Sequence, residues 1–367
     1  YHMNEGHSAL LTMALLEEVT DGRGICSATK ADREAVRKRC VFTTHTPVRA
    51  GQDQFPRDLV RQVLGEDLTA ALEAADCFLN GELNMTHLAL VFSRYINGVS
   101  MRHEEISRDM FPGYTINSVS NGVHAATWAS LPFRRLYDEH IPEWRRDNLY
   151  LRYAIGISVD EIRQAHFQAK QDLLAEVKRR TNVQLDPNMM TIGFARRAAM
   201  YKRADLLFSD LNRLKRIASQ VGPFQVIYGG KSHPWDGGGK AIIRAIFQAA
   251  EALRDTVRVV YLEEYDMALA KYLCAGVDLW LNTPEKPAEA SGTSGMKAAL
   301  NGVPSLSILD GWWIEGHVEG VTGWAIGDSW EVESNPAKEI ASLYDKLEYV
   351  ILPMYYTRPI EFAKVMR

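Results

Sequence analysis

The chain has 367 residues, 46% of them hydrophobic and 24% charged, with a net charge of −4. That balance belongs to a soluble globular protein longer than one ordinary core, so two units or parts of units are expected. The mild acidity gives no reason to expect nucleic acid or a membrane surface as partner, and no apolar run approaches the roughly 20 residues that span a bilayer.

Cys26, Cys40, Cys77 and Cys274 are widely spaced with no CxxC pair, which suits reduced thiols in a cytoplasm rather than a disulfide frame or a zinc site. No signal peptide is recognised and no metal site is expected.

In chain order, His2 to Leu10 leads into an apolar-periodic helix through Leu16. Cys40 to His45 reads as a short β-branched strand that Pro47 ends, since its ring fixes φ and removes a donor. Asp67 is expected to cap a helix with Ala70, Leu72 and Ala75 at helical spacing, and a further helix is expected from about Met85 to Ile96. Ser120-Asn-Gly-Val-His124 reads as a turn with an unusual φ at Gly122. Residues 134–182 are helical and polar-rich, and Asp160 to Arg180 reads as one amphipathic helix with a solvated charged face.

From Met189 the pattern alternates. Strands are expected at 190–194, 225–228, 257–261, 277–281 and 305–308, with helices at about 202–220, 238–254, 266–275 and 294–300. Such alternation implies an α/β fold with a doubly wound parallel sheet, whose ligands bind beyond the carboxyl ends of the strands. The loops 195–197, 229–231, 263–265 and 289–297 all follow strands and would gather at that rim.

Two of those loops carry chemistry. Glu289 to Lys297 runs from a strand through Ser291, Gly292, Thr293, Ser294 and Gly295 into a helix start, an order that lines up free N–H groups, hydroxyls and the helix dipole for a phosphate. Lys297 lies within reach of a cofactor whose phosphate fills such a loop. The plainer reading is a capped βα turn with a solvated lysine. Ala195 to Arg203 places Arg196, Arg197, Lys202 and Arg203 directly after a strand, which suits either an anion site or a basic helix start. Gly230-Lys231-Ser232 and Gly239-Lys240 are not nucleotide loops, since Gln225 and Pro234 stand where the first glycine belongs. No carboxylate pair of the kind a retaining glycosidase needs is evident; Glu289 stands singly.

The words EASGTSGMKAALNG (289–302) and LDGWWIEG (309–316), with Asn97 to His103 upstream, closely resemble those of the α-glucan phosphorylases of glycogen, starch and maltodextrin, especially the bacterial short type. The resemblance implies a two-domain, glycosyltransferase-B-like architecture. Residues 1–124 would be the C-terminal part of an incomplete N-terminal domain on the glucan side of the cleft, and 125–367 a Rossmann-like domain binding pyridoxal 5′-phosphate. The implied activity is phosphorolysis of α-1,4-glucan by inorganic phosphate, releasing α-D-glucose 1-phosphate with retention. The setting would be cytoplasmic glycogen degradation, in a family with allosteric members.

By the same resemblance Lys297 anchors the cofactor covalently, with Thr293, Ser294, Arg196 and Trp128 around it. Arg197 and Lys202 hold the substrate phosphate and Tyr201 lies against the sugar. Glu289, Ser291 and Gly292 bind substrate, as do Asn121 through its side chain and His45 through its carbonyl. Read locally, His45 is a structural histidine at a strand end and Asn121 a turn residue. Ala50-Gly-Gln-Asp53 departs from the usual Ala-Gly-His-Asp, and Arg49 stands where a smaller residue or proline is usual, which bears on fine glucan specificity.

Family members begin well before Tyr1 and continue past Arg367, so an internal fragment is expected, with poor turnover by itself. A homo-oligomer is carried as an open expectation. Two other readings are kept. One is a nucleotide-sugar glucosyltransferase of the same scaffold, against which Lys297 stands where a second glutamate, eight positions after Glu289, would be. The other is a glucan-binding fragment without activity.

Overall fold

A computed structural model describes residues 1–48, 51–328 and 333–367; Arg49 and Ala50, in the segment that departs from the family pattern, lie outside the described residues. The chain divides into two units, Tyr1–Asn121 with Pro287–Ser291, and Gly122–Lys286 with Gly292–Arg367.

The first unit is built on a parallel sheet of β1 (His2–Asn4), β2 (Val41–Thr43), β6 (Tyr95–Gly98) and β7 (Asn117–Ser118), in that spatial order. A second, antiparallel sheet holds β3 (Gln54–Pro56), β4 (Phe78–Leu79) and β5 (Glu82–Asn84), with β5 central. Met3, Leu16, Phe42, Leu88 and Ile96 are buried together. Three expectations change here. The helix expected to run to Ile96 is Met85–Val91, and Ile96 pairs in a strand with Phe42. Asp67 sits inside the first turn of the helix Glu66–Ala74, because Gly65 (φ 86°) makes the sharp entry. Gly122 is not among the positive-φ positions; the chain there is irregular, with the Asn121 amide donating to the Val99 carbonyl at 3.0 Å. Strand β1 was not legible, since three residues carry no readable period.

The second unit holds six parallel strands, β8 (Met190–Ala195), β9 (Phe224–Gly229), β10 (Arg258–Leu262), β11 (Leu279–Asn282), β12 (Ser305–Ile308) and β13 (Gly323–Ile326). Their order is β10-β9-β8-β11-β12-β13, the doubly wound arrangement the alternation implies. Strand β13 is additional to the five expected. The strands are buried through their lengths at β8, β9, β11, β12 and β13, so apolar runs rather than alternation mark them. The helix expected over 202–220 is two 3₁₀ turns followed by Leu211–Gln220, which Asp210 caps through the Arg213 amide at 2.8 Å.

The long helix is Val159–Thr181, entered through a capping box of Ser158 and Glu161. Its charges are not all solvated. Lys170 is 1% exposed, with its amine 2.6 Å from Asp278 Oδ2, and His166 Nε2 is 3.0 Å from Asp278 Oδ1. Asp278 immediately precedes β11, so this cluster lies at the amino-terminal edge of the sheet. The candidate loops leave from the opposite edge.

Candidate functional site

In the second unit, the residues following β8 and β11 meet because these strands are neighbours and parallel. The backbone from Arg196 to Ala198 is pinned to the loop after β9: the Arg196 amide donates to Gly229 O at 3.0 Å and the Ala198 amide to Lys231 O at 2.9 Å. Gly230 makes this possible, since a Cβ there would overlap the Arg196 carbonyl oxygen. The Arg196 guanidinium donates to Asn282 Oδ1, and Asn282 Nδ2 donates to Ser307 Oγ at 2.9 Å. A polar row therefore crosses the carboxyl ends of β8, β11 and β12.

Met200–Lys202 is a 3₁₀ turn closed by Arg203 in the left-handed region (φ 45°). Thr283 Oγ1 bonds the carbonyls of Lys202 (3.1 Å) and Arg203 (2.9 Å), and the Glu285 amide donates to Tyr201 O at 2.6 Å. Arg203 itself is structural: it donates to Thr283 O, Pro284 O and the buried carboxylate of Glu339. The outcome is a turn locked to the start of the loop that follows β11. Lys202 is 7% exposed, with its amine 4.4 Å from the Tyr201 ring centroid, while Arg197 projects into solvent.

Gly292 takes a left-handed φ of 85° and opens the helix Thr293–Ala299. Ser294 Oγ accepts from the Trp280 indole N–H at 3.3 Å, and the side of the helix at Gly295 is filled by Trp312 and Ser305. The Lys297 amine lies 4.0 Å from the centroid of the Trp128 ring, and among the described residues no carboxylate pairs with it. The second unit thus brings together Trp128 with Lys297 and Lys202 with Tyr201, while Arg196 reaches Asn282. These groups stand at the carboxyl rim with Thr293 and Ser294.

His45, Asn121, Glu289 and Ser291 belong to the first unit. The His45 amide donates to Glu5 Oε2 at 2.7 Å, Thr46 Oγ1 to the same oxygen at 2.9 Å, and the Gly6 amide to Glu5 Oε1 at 2.8 Å. Glu5 holds φ 71° and ψ 161°, a strained conformation for a residue with a Cβ. Burial pushes the His45 imidazole below its ordinary value despite the Glu5 carboxylate. Ser100 Oγ donates to Ala290 O at 2.7 Å, and Glu289 is buried. Ser291 Oγ is buried without a partner among the described residues, as an atom kept for a ligand would be. Gln52, where the family usually has histidine, accepts from Asn84 Nδ2 at 2.9 Å.

Residues 65–322 match the family model of the carbohydrate phosphorylases. The chain belongs to the carbohydrate phosphorylase family. It is 36% identical to the maltodextrin phosphorylase of Thermococcus litoralis, over 100% of this chain and 47% of that protein. It is 37% identical to the glycogen phosphorylase of Aquifex aeolicus (100% and 58%), and 36% identical to that of Mycobacterium tuberculosis (98% and 46%). The chain spans about half the length of the curated relatives it matches.

Glu5, Asn282 and Asn301 are supporting residues that motif reasoning missed, and Arg203, expected as one cation of the cluster after β8, is a fourth. Their partners lie far away in sequence. The pyridoxal group the family implies fits what surrounds Lys297: an amine that no carboxylate pairs with among the described residues, an aromatic ring against it, and a left-handed glycine at the mouth of the helix.

Proposed function

We propose that this chain forms part of an α-glucan phosphorylase, the activity its relatives are named for, with Lys297 as the covalent anchor of pyridoxal 5′-phosphate. The observation that carries the reading is the Lys297 amine held against Trp128, at the same rim as the cations Arg196, Arg197 and Lys202. Thr293, Ser294 and Arg196 would hold the cofactor's phosphate. Arg197 and Lys202 would hold inorganic phosphate, their charges offsetting the repulsion between two anions. Tyr201, Glu289, Ser291, Gly292, Asn121 and the His45 carbonyl would bind the terminal glucosyl unit of an α-1,4-glucan.

When bound, the cofactor would supply a phosphate with a second pKa of about 6, a group suited to proton exchange near neutrality. Inorganic phosphate gives its proton to the glycosidic oxygen, the bond from C1 to the glucan chain breaks, and a phosphate oxygen bonds C1 on the same face. The products are α-glucose 1-phosphate and a glucan shorter by one unit. A cytoplasmic setting is proposed with it, in keeping with four free cysteines and with no helix among the described residues long and apolar enough to cross a membrane.

The test is incubation with pyridoxal 5′-phosphate, borohydride reduction and peptide mapping. A parallel assay follows glucose 1-phosphate release from maltodextrin in a version extended to the relatives' length. A pyridoxyl group on Lys297 and phosphate-dependent release support the reading. Labelling spread over surface lysines, with transfer from a nucleotide sugar instead, would overturn it.

A further inference from the structure

Asn301 follows the helix that carries Lys297 and is completely buried. Its side chain is used at both ends. Oδ1 accepts from the Ser130 amide at 2.7 Å, while Nδ2 donates to the carbonyls of Trp128 and Lys297, each at 2.9 Å. The bond to Lys297 O is four residues back along the helix and by itself would be a local cap. The other two reach across about 170 positions of sequence to the segment that carries the indole. Next to this clasp, Tyr137 Oη donates to Leu300 O at 2.9 Å, fixing the same two segments a second time.

We propose that Asn301 is a positioning residue: it sets the Trp128 ring against the Lys297 amine and so fixes where that amine presents itself. The side-chain chemistry is specific. Two carbonyls need donors and one amide needs an acceptor, all from one buried atom pair, and asparagine alone among residues of that size supplies both. Aspartate in its place would keep the acceptor but set a carboxylate oxygen against two carbonyl oxygens. Alanine would leave all three backbone groups without this partner. The bearing of this placement on a cofactor rests on the reading of Lys297 given above; the placement itself does not.

The experiment therefore has two readouts. The chain is reductively methylated with ¹³C-formaldehyde, and the Lys297 methyl signals are assigned by their absence in Lys297→Arg. In the wild type, methyls lying over an indole are shifted upfield by its ring current, and Trp128→Leu removes the shift. Asn301→Asp is expected to return the signal toward that of exposed lysines. The control is Leu343→Ala, a core truncation on another helix, used at a temperature where its fraction folded equals that of the Asn301 variant; it is expected to keep the shift. The second readout is pyridoxal phosphate trapping at Lys297, expected to slow about tenfold or more in Asn301→Asp and not in the control, the order of loss that ångström-scale misplacement brings. A ring-current shift retained in Asn301→Asp, or lost equally in the control, overturns the proposal. If the wild type traps no pyridoxyl group at Lys297, the cofactor reading falls, while the methyl shift still decides the role of Asn301.

Discussion

The Lys170 amine lies 2.6 Å from Asp278 Oδ2 at the amino-terminal edge of the second unit's sheet, with both side chains almost fully buried. Burial alone would push the Asp278 carboxyl up. The Lys170 charge and the His166 and Lys170 hydrogen bonds outweigh it, leaving the pKa lowered. The Thr191 amide adds a bond to the same oxygen at 2.7 Å, and Lys170 also donates to Met189 O at 2.7 Å. The pair thus anchors the entries of β8 and β11, the two strands whose other ends carry the candidate loops.

Lys170→Met is expected to destabilise the second unit by about 3–5 kcal/mol, because it leaves Asp278 buried without its cation. Denaturant unfolding checks this. Adding Asp278→Asn should recover a substantial part of the loss, since the stranded charge goes with it.

Arg203→Lys tests the clamp on the 200–203 turn. A guanidinium reaches Thr283 O, Pro284 O and Glu339 at once, and a single ammonium does not. The expected cost is about 1–3 kcal/mol from carbonyls left without donors. On the proposed role of Lys202, which sits in that turn, inorganic phosphate binding read by calorimetry should weaken along with it.

Gly230→Ala places a methyl group into the Arg196 carbonyl. Backbone on both sides must shift, so a loss of about 1–3 kcal/mol is expected, the scale of overpacking. Amide exchange at Arg196 and Ala198 should quicken in the same variant, because their bonds to the Gly229 and Lys231 carbonyls are the ones displaced.

His103 gives the first unit a pH dependence. Burial lowers its pKa from 6.5 to about 4, and its Nδ1 accepts the Val99 amide at 3.2 Å, so a proton placed there would break that bond. The unfolded chain takes up the proton first as pH falls. The stability associated with neutral His103 is therefore whole above about pH 6.5 and drains away down to about pH 4. The expected loss over that window is on the order of 3 kcal/mol. Unfolding measured across the window should show this slope, and His103→Gln should flatten it.

What the sequence determined by itself was whatever short-range pattern encodes. Apolar runs separated by helical periods specify a doubly wound parallel sheet, and parallel strands send their following loops to one rim. That argument alone gathers Arg196, Arg197 and Lys202 with Lys297, and the EASGTSGMK word names the family. Strand β13 and the strand containing Ile96 escaped because each has only four residues, too few to show a period. Tertiary structure decided the rest. Lys170 looked like one more charge on a solvated face until Asp278, 108 positions away, turned it inward. Read locally, Asn282, Glu5 and Asn301 have no role and Arg203 only that of one more cation, since each satisfies backbone or charge brought from a distant segment. A buried polar side chain is defined by its partners, and those partners come together only when the strands have paired.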